Sequence, residues 1–117
     1  MTKEEKSALQ KIEAFLQENN IQLRYTEEDD NYIDFIEERI VASRRQETTA
    51  IIYTLLHELG HYFSDFHAEE DSHTTQVIEE VLAWDGGKDM AHSLGIDIDE
   101  SRWQRLMIES ISKYIEK

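Results

Sequence analysis

The stretch Leu55-Leu56-His57-Glu58-Leu59-Gly60-His61-Tyr62-Phe63 constrains this chain more than any other. Residues four apart on a helix lie one above the other, so His57 and His61 present two imidazoles to one point beside the axis. Glu58 stands about 100° further round. Apart from Glu58 the positions around both histidines are uncharged, which marks the helix for burial. A polar group buried without a partner costs about 2–7 kcal/mol, so two buried imidazoles beside a carboxylate need a strong one. A divalent cation meets that need. Neutral imidazole suits Zn²⁺, and a catalytic zinc site takes three protein ligands and leaves a fourth position to water. His57 and His61 are thus candidate ligands and Glu58 a candidate acid/base, all from one turn of His-Glu-x-x-His, and a third ligand has to come from elsewhere. The competing reading is an amphipathic core helix whose histidines are only packed or hydrogen-bonded.

A chain of 117 residues is long enough to bury one core, and one domain over 1–117 is expected. With 26 acidic and 12 basic residues the net charge is −14, which argues against a nucleic-acid backbone as partner, since that needs clustered Lys and Arg. There is no cysteine, so neither disulfides nor a thiolate zinc site is available. The opening Met-Thr-Lys-Glu-Glu-Lys-Ser is charged, with no apolar stretch of signal-peptide type behind it. The longest apolar run, Ala50 to Tyr53, is far too short to cross a bilayer. A cytoplasmic protein with no membrane partner is the expectation.

Read in order, residues 3–18 have the helical spacing of Leu9, Ile12, Phe15 and Leu16 on one face, and Asn19-Asn20 closes the helix. Residues 21–25 alternate as a half-buried strand does. The acidic run 27–31 reads as a solvated turn, because it lacks the spaced oxygens and the glycine of a calcium loop. Residues 32–36 and 39–43 read as two further strands with a turn at Glu37-Glu38. The fold expected is therefore α+β: a small antiparallel sheet of about three strands packed on a helical bundle. An edge strand of that sheet beside the His-Glu-x-x-His helix, placed at 46–63, would suit an extended peptide.

Ser64 to Thr74 reads as a loop or frayed helix end. A helix then runs from Thr74 or Thr75 to Leu94, with Gly95 after it. Gly86-Gly87 inside it costs about 1 kcal/mol per glycine relative to alanine. The small residues Ala83, Gly87 and Ala91 would repay that by close approach to the preceding helix, and a break at Asp85-Gly86-Gly87 is the alternative. Asp97 or Asp99 caps a last helix whose stripe of Trp103, Leu106, Met107, Ser110, Ile111 and Tyr114 reads as core.

For the third ligand, Glu80 lies nineteen positions after His61 on the next helix, within Glu80-Val81-Leu82-Ala83-Trp84. Its neighbours place that face inside, and two neutral imidazoles with the Glu80 and Glu58 carboxylates balance the charge of zinc. Glu79 and His67 are the alternatives. His67 has metzincin spacing after His61, but Ser64 stands where the turn glycine of that pattern belongs.

Leu55-Leu56-His57-Glu58-Leu59-Gly60-His61 followed by Glu80-x-x-Ala83-Trp84 resembles the ImmA/IrrE-type zinc peptidase-like proteins of bacteria, phages and mobile elements, over roughly residues 39–95. The resemblance implies a minimal zincin-like domain in which a short sheet precedes the metal helix and a following helix supplies a glutamate. It implies His57, His61 and Glu80 as zinc ligands and Glu58 as catalytic acid/base, with a protein substrate, in some relatives a DNA-binding repressor. Trp84 departs from the family, where many members carry a polar residue, and no helix-turn-helix segment is expected within residues 1–117. The reaction expected is zinc-dependent peptide hydrolysis, with His73, His92, His67 and Tyr53 as candidates to stabilise the oxyanion. Its rivals are an acidic zincin-fold binding protein that blocks a basic partner in phage-host or toxin-antitoxin conflict, and a structural zinc site completed by His67.

Overall fold

The computed structural model describes residues 2–29, 31–34, 36–64 and 73–115. Helix α1 (Lys3–Glu18) is followed by strands β1 (Gln22–Thr26), β2 (Tyr32–Asp34) and β3 (Arg39–Ser43), then by helices α2 (Thr48–Tyr62), α3 (His73–Leu94) and α4 (Glu100–Ile115). The fold is α+β, a small sheet packed on helices, as the periodicities imply. No helix of the described residues is long and apolar enough to cross a membrane.

A capping box starts α1. The Thr2 hydroxyl accepts from the Glu5 N–H at 3.1 Å, and the Glu5 carboxylate accepts from the Thr2 N–H at 2.8 Å. Asn20, at φ 58°, turns the chain out, and Ile21 N–H closes the end on the Leu16 carbonyl at 2.9 Å.

The sheet departs from the antiparallel expectation. Its order is β1-β3-β2, with β3 antiparallel to β2 (Ile33 opposite Ile40) but parallel to β1 (Leu23 opposite Ile40). Burial explains the order. Ile40, Val41 and Ala42 are buried in succession, so β3 has both faces covered and takes the centre, while the half-polar β1 and β2 take the edges. The stretch between β1 and β3 is about a dozen residues, long enough for the return a parallel pair requires, and β2 is carried within it on the far side of β3. Asp34 pins the β2–β3 turn by accepting from the Ile36 and Glu37 N–H groups, each at 3.1 Å, and Glu38 follows at φ 50°. The acidic run is exposed at residues 27–29 and is tied to the sheet through Asn31, whose side-chain oxygen accepts from the Ser43 N–H at 2.8 Å.

Helix α2 is the hub and touches α1, α3, β2 and β3. Leu55, Leu56 and Leu59 are fully buried in it, each contributing about 1.5–3 kcal/mol. Helix α3 runs unbroken through Asp85-Gly86-Gly87, so the alternative of a break does not occur. Close approach is the reason: a Cβ on Gly87 would come within 2.6 Å of the Leu56 carbonyl oxygen, and one on Gly60 would overlap the Ala83 carbonyl. At the far end Gly95 takes φ +70°, and Ile96 N–H bonds to the Ala91 carbonyl at 2.8 Å. Asp99, rather than Asp97, caps α4 by accepting from the Arg102 N–H at 3.2 Å. Helix α4 is fastened to the other helices by the Asp99 N–H donating to the Tyr53 hydroxyl at 2.9 Å, by Lys88 with Glu100 at 2.6 Å and by Arg102 with Glu47.

Candidate metal centre

Two helices build the cluster. One turn of α2 supplies His57, Glu58 and His61, and the facing turn of α3 supplies Glu80; all four are buried. Nε2 of His57 lies 2.9 Å from Oε2 of Glu80, and Nε2 of His61 lies 2.9 Å from Oε1. One ligand atom from each of His57, His61 and Glu80 falls within 4.8 Å of the other two. The carboxylate thus spans both imidazoles, one oxygen to each ring.

The other three candidate positions fare differently. Glu79 sits at the opposite edge of the His61 ring, with Oε1 3.8 Å from Nδ1, where its charge favours the protonated imidazole but it does not join both Nε2 atoms. His67 lies outside the described residues. Glu58 places Oε1 3.6 Å from Nδ1 of His57, close to the cluster without occupying its centre.

Electrostatics follow from burial and from this pairing. Burial favours protonation of Glu80, but hydrogen bonds from His57 and His61 prevail and hold its carboxyl well below the usual carboxylate range. Burial alone would lower the pKa of His61, yet the Glu80 hydrogen bond and charge outweigh it and raise the imidazole above its ordinary value. Among the described residues Glu58 has no such donor. Burial therefore pushes its carboxyl up, against the pull of the two neighbouring imidazoles.

Helix α4 contributes two hydroxyls that the apolar stripe had assigned to the core. Ser110 Oγ donates to Oε2 of Glu80 at 3.1 Å, and the Tyr114 hydroxyl donates to Oε1 at 3.4 Å. Burial and the charge of Glu80 push the Tyr114 hydroxyl up to about 12, so it stays a donor at neutral pH. The signal in the sequence was Ser110 itself: a hydroxyl in the middle of an apolar face needs a partner. Trp84 covers the cluster from α3, its indole stacked on the His57 ring with centroids 4.2 Å apart and planes 13° from parallel. Trp103 packs edge-on behind it at 4.9 Å, and the buried Trp84 Nε1–H has no hydrogen-bond partner among the described residues.

Of the oxyanion candidates, Tyr53 and His92 are among the described residues and neither reaches the cluster. Tyr53 is buried against Trp103, and its hydroxyl is engaged by the Asp99 N–H. His92 is exposed in the last turn of α3, about 18 Å along the helix from Glu80. The His67 residue and the His73 side chain are outside the described residues. Ser110 and Tyr114, which the periodicity assigned to the core, are the hydroxyls that reach the cluster.

The donor set of two imidazole nitrogens and one carboxylate is the one a catalytic zinc takes, and ligand atoms around a tetrahedral zinc are about 3.3 Å apart. The 2.9 Å separations between Glu80 and the two Nε2 atoms are close to that, so these three residues could hold a metal ion, zinc among others. Comparison with protein-family models, with curated proteins and with solved structures finds no significant match.

Proposed function

We propose that the chain is a zinc-dependent peptidase that hydrolyses a peptide bond in a protein substrate, with His57, His61 and Glu80 holding the metal and Glu58 as general base. One observation carries this reading: both Nε2 atoms meet the Glu80 carboxylate at 2.9 Å inside a buried cluster, beside a carboxylate with a raised proton affinity. The motif resemblance to ImmA/IrrE-type proteins supports it from the sequence side.

Bound there, zinc supplies Lewis acidity, acidifying a water molecule and polarising a carbonyl. Glu58 takes the proton that the attacking water gives up as the new C–O bond forms, and passes it to the amine as the C–N bond breaks. Its burial suits the second half of that cycle, since a carboxyl in an apolar setting holds a proton long enough to deliver it. Ser110 and Tyr114 keep the Glu80 carboxylate in place, and the Trp84 indole keeps water from the face of His57. Strand β2 supports a peptide as substrate: it is an edge of the sheet, next to α2, and its outer main-chain groups can pair with an extended segment.

The test is zinc analysis of the purified protein together with hydrolysis of a quenched-fluorescent peptide library. Wild type is expected to carry one zinc and cleave; Glu58→Gln keeps the zinc and does not cleave. A wild-type chain that takes up no zinc at neutral pH removes this reading.

A further inference from the structure

A second feature lies on the other side of the α2–α3 pair. Leu59 and Phe63 each follow a cluster histidine by two positions, about 200° round α2, and Leu82 and Gly86 stand in the same relation to Glu80 and Trp84 on α3. Between them runs a groove of about 380 Å³ lined mainly by apolar side chains, including Met90. Phe63 is 46% exposed and Leu82 41%, and Ile78, one turn before Leu82, is 42% exposed. These are three of the six large apolar side chains exposed among the described residues, gathered on one face.

Gly86 lines this groove beside Gly60, and its presence is not explained by packing. A Cβ on Gly86 would meet Gly60 Cα at 3.4 Å and its carbonyl oxygen at 3.6 Å, which is ordinary contact. Gly60 and Gly87 are required by the neighbouring backbone, whereas Gly86 costs α3 about 1 kcal/mol relative to alanine with no internal return. What the missing methyl group does preserve is depth in the groove.

We propose that this groove docks a basic amphipathic helix of a partner protein, independently of the metal centre. Both walls are helices, which offer no row of free main-chain groups of the kind a sheet edge presents to an extended strand, so the occupant has to satisfy its own backbone, as a helix does. Its apolar face meets Phe63, Leu82 and Met90, with a close contact over Gly86. Its charge is set by the rim: Asp85 and Asp89 are exposed, and among the described residues neither is paired with Lys or Arg. A net charge of −14 draws a cationic partner and opposes a second copy of this chain.

The probe is a fluorescein-labelled helical peptide of leucine and lysine, with leucine on one face, followed by anisotropy against a scrambled peptide of the same composition. Wild type binds the amphipathic peptide and not the scrambled one. Gly86→Ala, with an unfolding midpoint equal to or above wild type, weakens binding at least about tenfold, and so does Asp85→Lys with Asp89→Lys. Glu27→Lys with Glu37→Lys, the same charge change at the sheet end, leaves binding little altered. Equal weakening by that control, unaltered binding by Gly86→Ala, or no preference over the scrambled peptide overturns the proposal. So does a wild-type dimer in sedimentation that Gly86→Ala dissolves, because the occupant is then a second copy.

Discussion

Gly60 of α2 lies against the carbonyl of Ala83 on α3 with no space for a methyl group between them. The contact sets the register of the two helices. His61 is the next residue after Gly60 and Glu80 is three before Ala83, so the point of closest approach holds both imidazoles opposite the carboxylate. Gly87 repeats the arrangement against the Leu56 carbonyl, one turn away.

Replacing Gly60 with alanine therefore forces two backbones apart, and backbone cannot swing aside as a long side chain can. Gly60→Ala is expected to destabilise the fold by about 3 kcal/mol and to lower zinc uptake, whereas Gly86→Ala is tolerated. Urea denaturation of both variants checks the contrast, and equal stability of the two removes the register argument.

Helix α4 supports the third ligand through two hydroxyls, and their loss can be separated from loss of the ligand itself. Glu80→Ala should abolish zinc binding at micromolar metal. Ser110→Ala and Tyr114→Phe keep the fold and weaken zinc affinity about 10–100-fold each, as removal of such outer partners does. Competition with a chromophoric chelator measures all three, and unchanged affinity in both hydroxyl variants would leave α4 with a packing role only.

Glu58→Gln has two expected effects of opposite sign. Cleavage falls at least about 100-fold, the scale of general acid–base catalysis. Stability of the metal-free protein rises, because the raised carboxyl pKa of Glu58 makes a favourable contribution below its unfolded value of 4.5 that is lost as pH climbs through the folded one. A neutral amide escapes that loss. Thermal unfolding in a chelator should show the variant gaining on wild type as pH rises above 4.5.

The pairing of His61 with Glu80 gives the metal-free protein a pH optimum. His61 has a folded pKa above 6.5, so its contribution is complete below 6.5 and is lost as pH rises through the folded value. Glu80 has a folded pKa below 4.5, so its contribution is complete above 4.5 and is lost as pH falls toward the folded value. Stability from the pair is greatest between those limits and declines on both sides. Zinc has to displace the proton on His61, and its affinity should therefore increase with pH through the raised imidazole value, which titration calorimetry at several pH values checks.

The elements themselves were written in local spacing. The period of Leu9, Ile12 and Leu16, the alternation after Ile21, the His57–His61 pair and the Gly95 stop each reflect how a chain meets its own next turn or pleat. Those signals located the four helices and three strands of the described residues to within a few residues, and they put Glu80 on the face that meets His57 and His61. Other features had no local signature. The parallel pairing of β1 with β3 depends on which strand is most completely buried once α2 covers the sheet. Gly60 reads as an ordinary helix residue until Ala83 lies against it.

What this sequence determined by itself was a pair of imidazoles and a carboxylate on one apolar turn, the periodicities of the surrounding elements, and a strongly acidic surface. Tertiary structure alone decided that both Nε2 atoms share the Glu80 carboxylate, that Ser110 and Tyr114 turn from a core stripe to that carboxylate, and that an acid-rimmed groove lies behind the cluster. The physical reason is range. Periodicity reports the face a residue occupies on its own helix or strand, but a contact between elements depends on register and rotation, which are settled when all the buried faces pack at once.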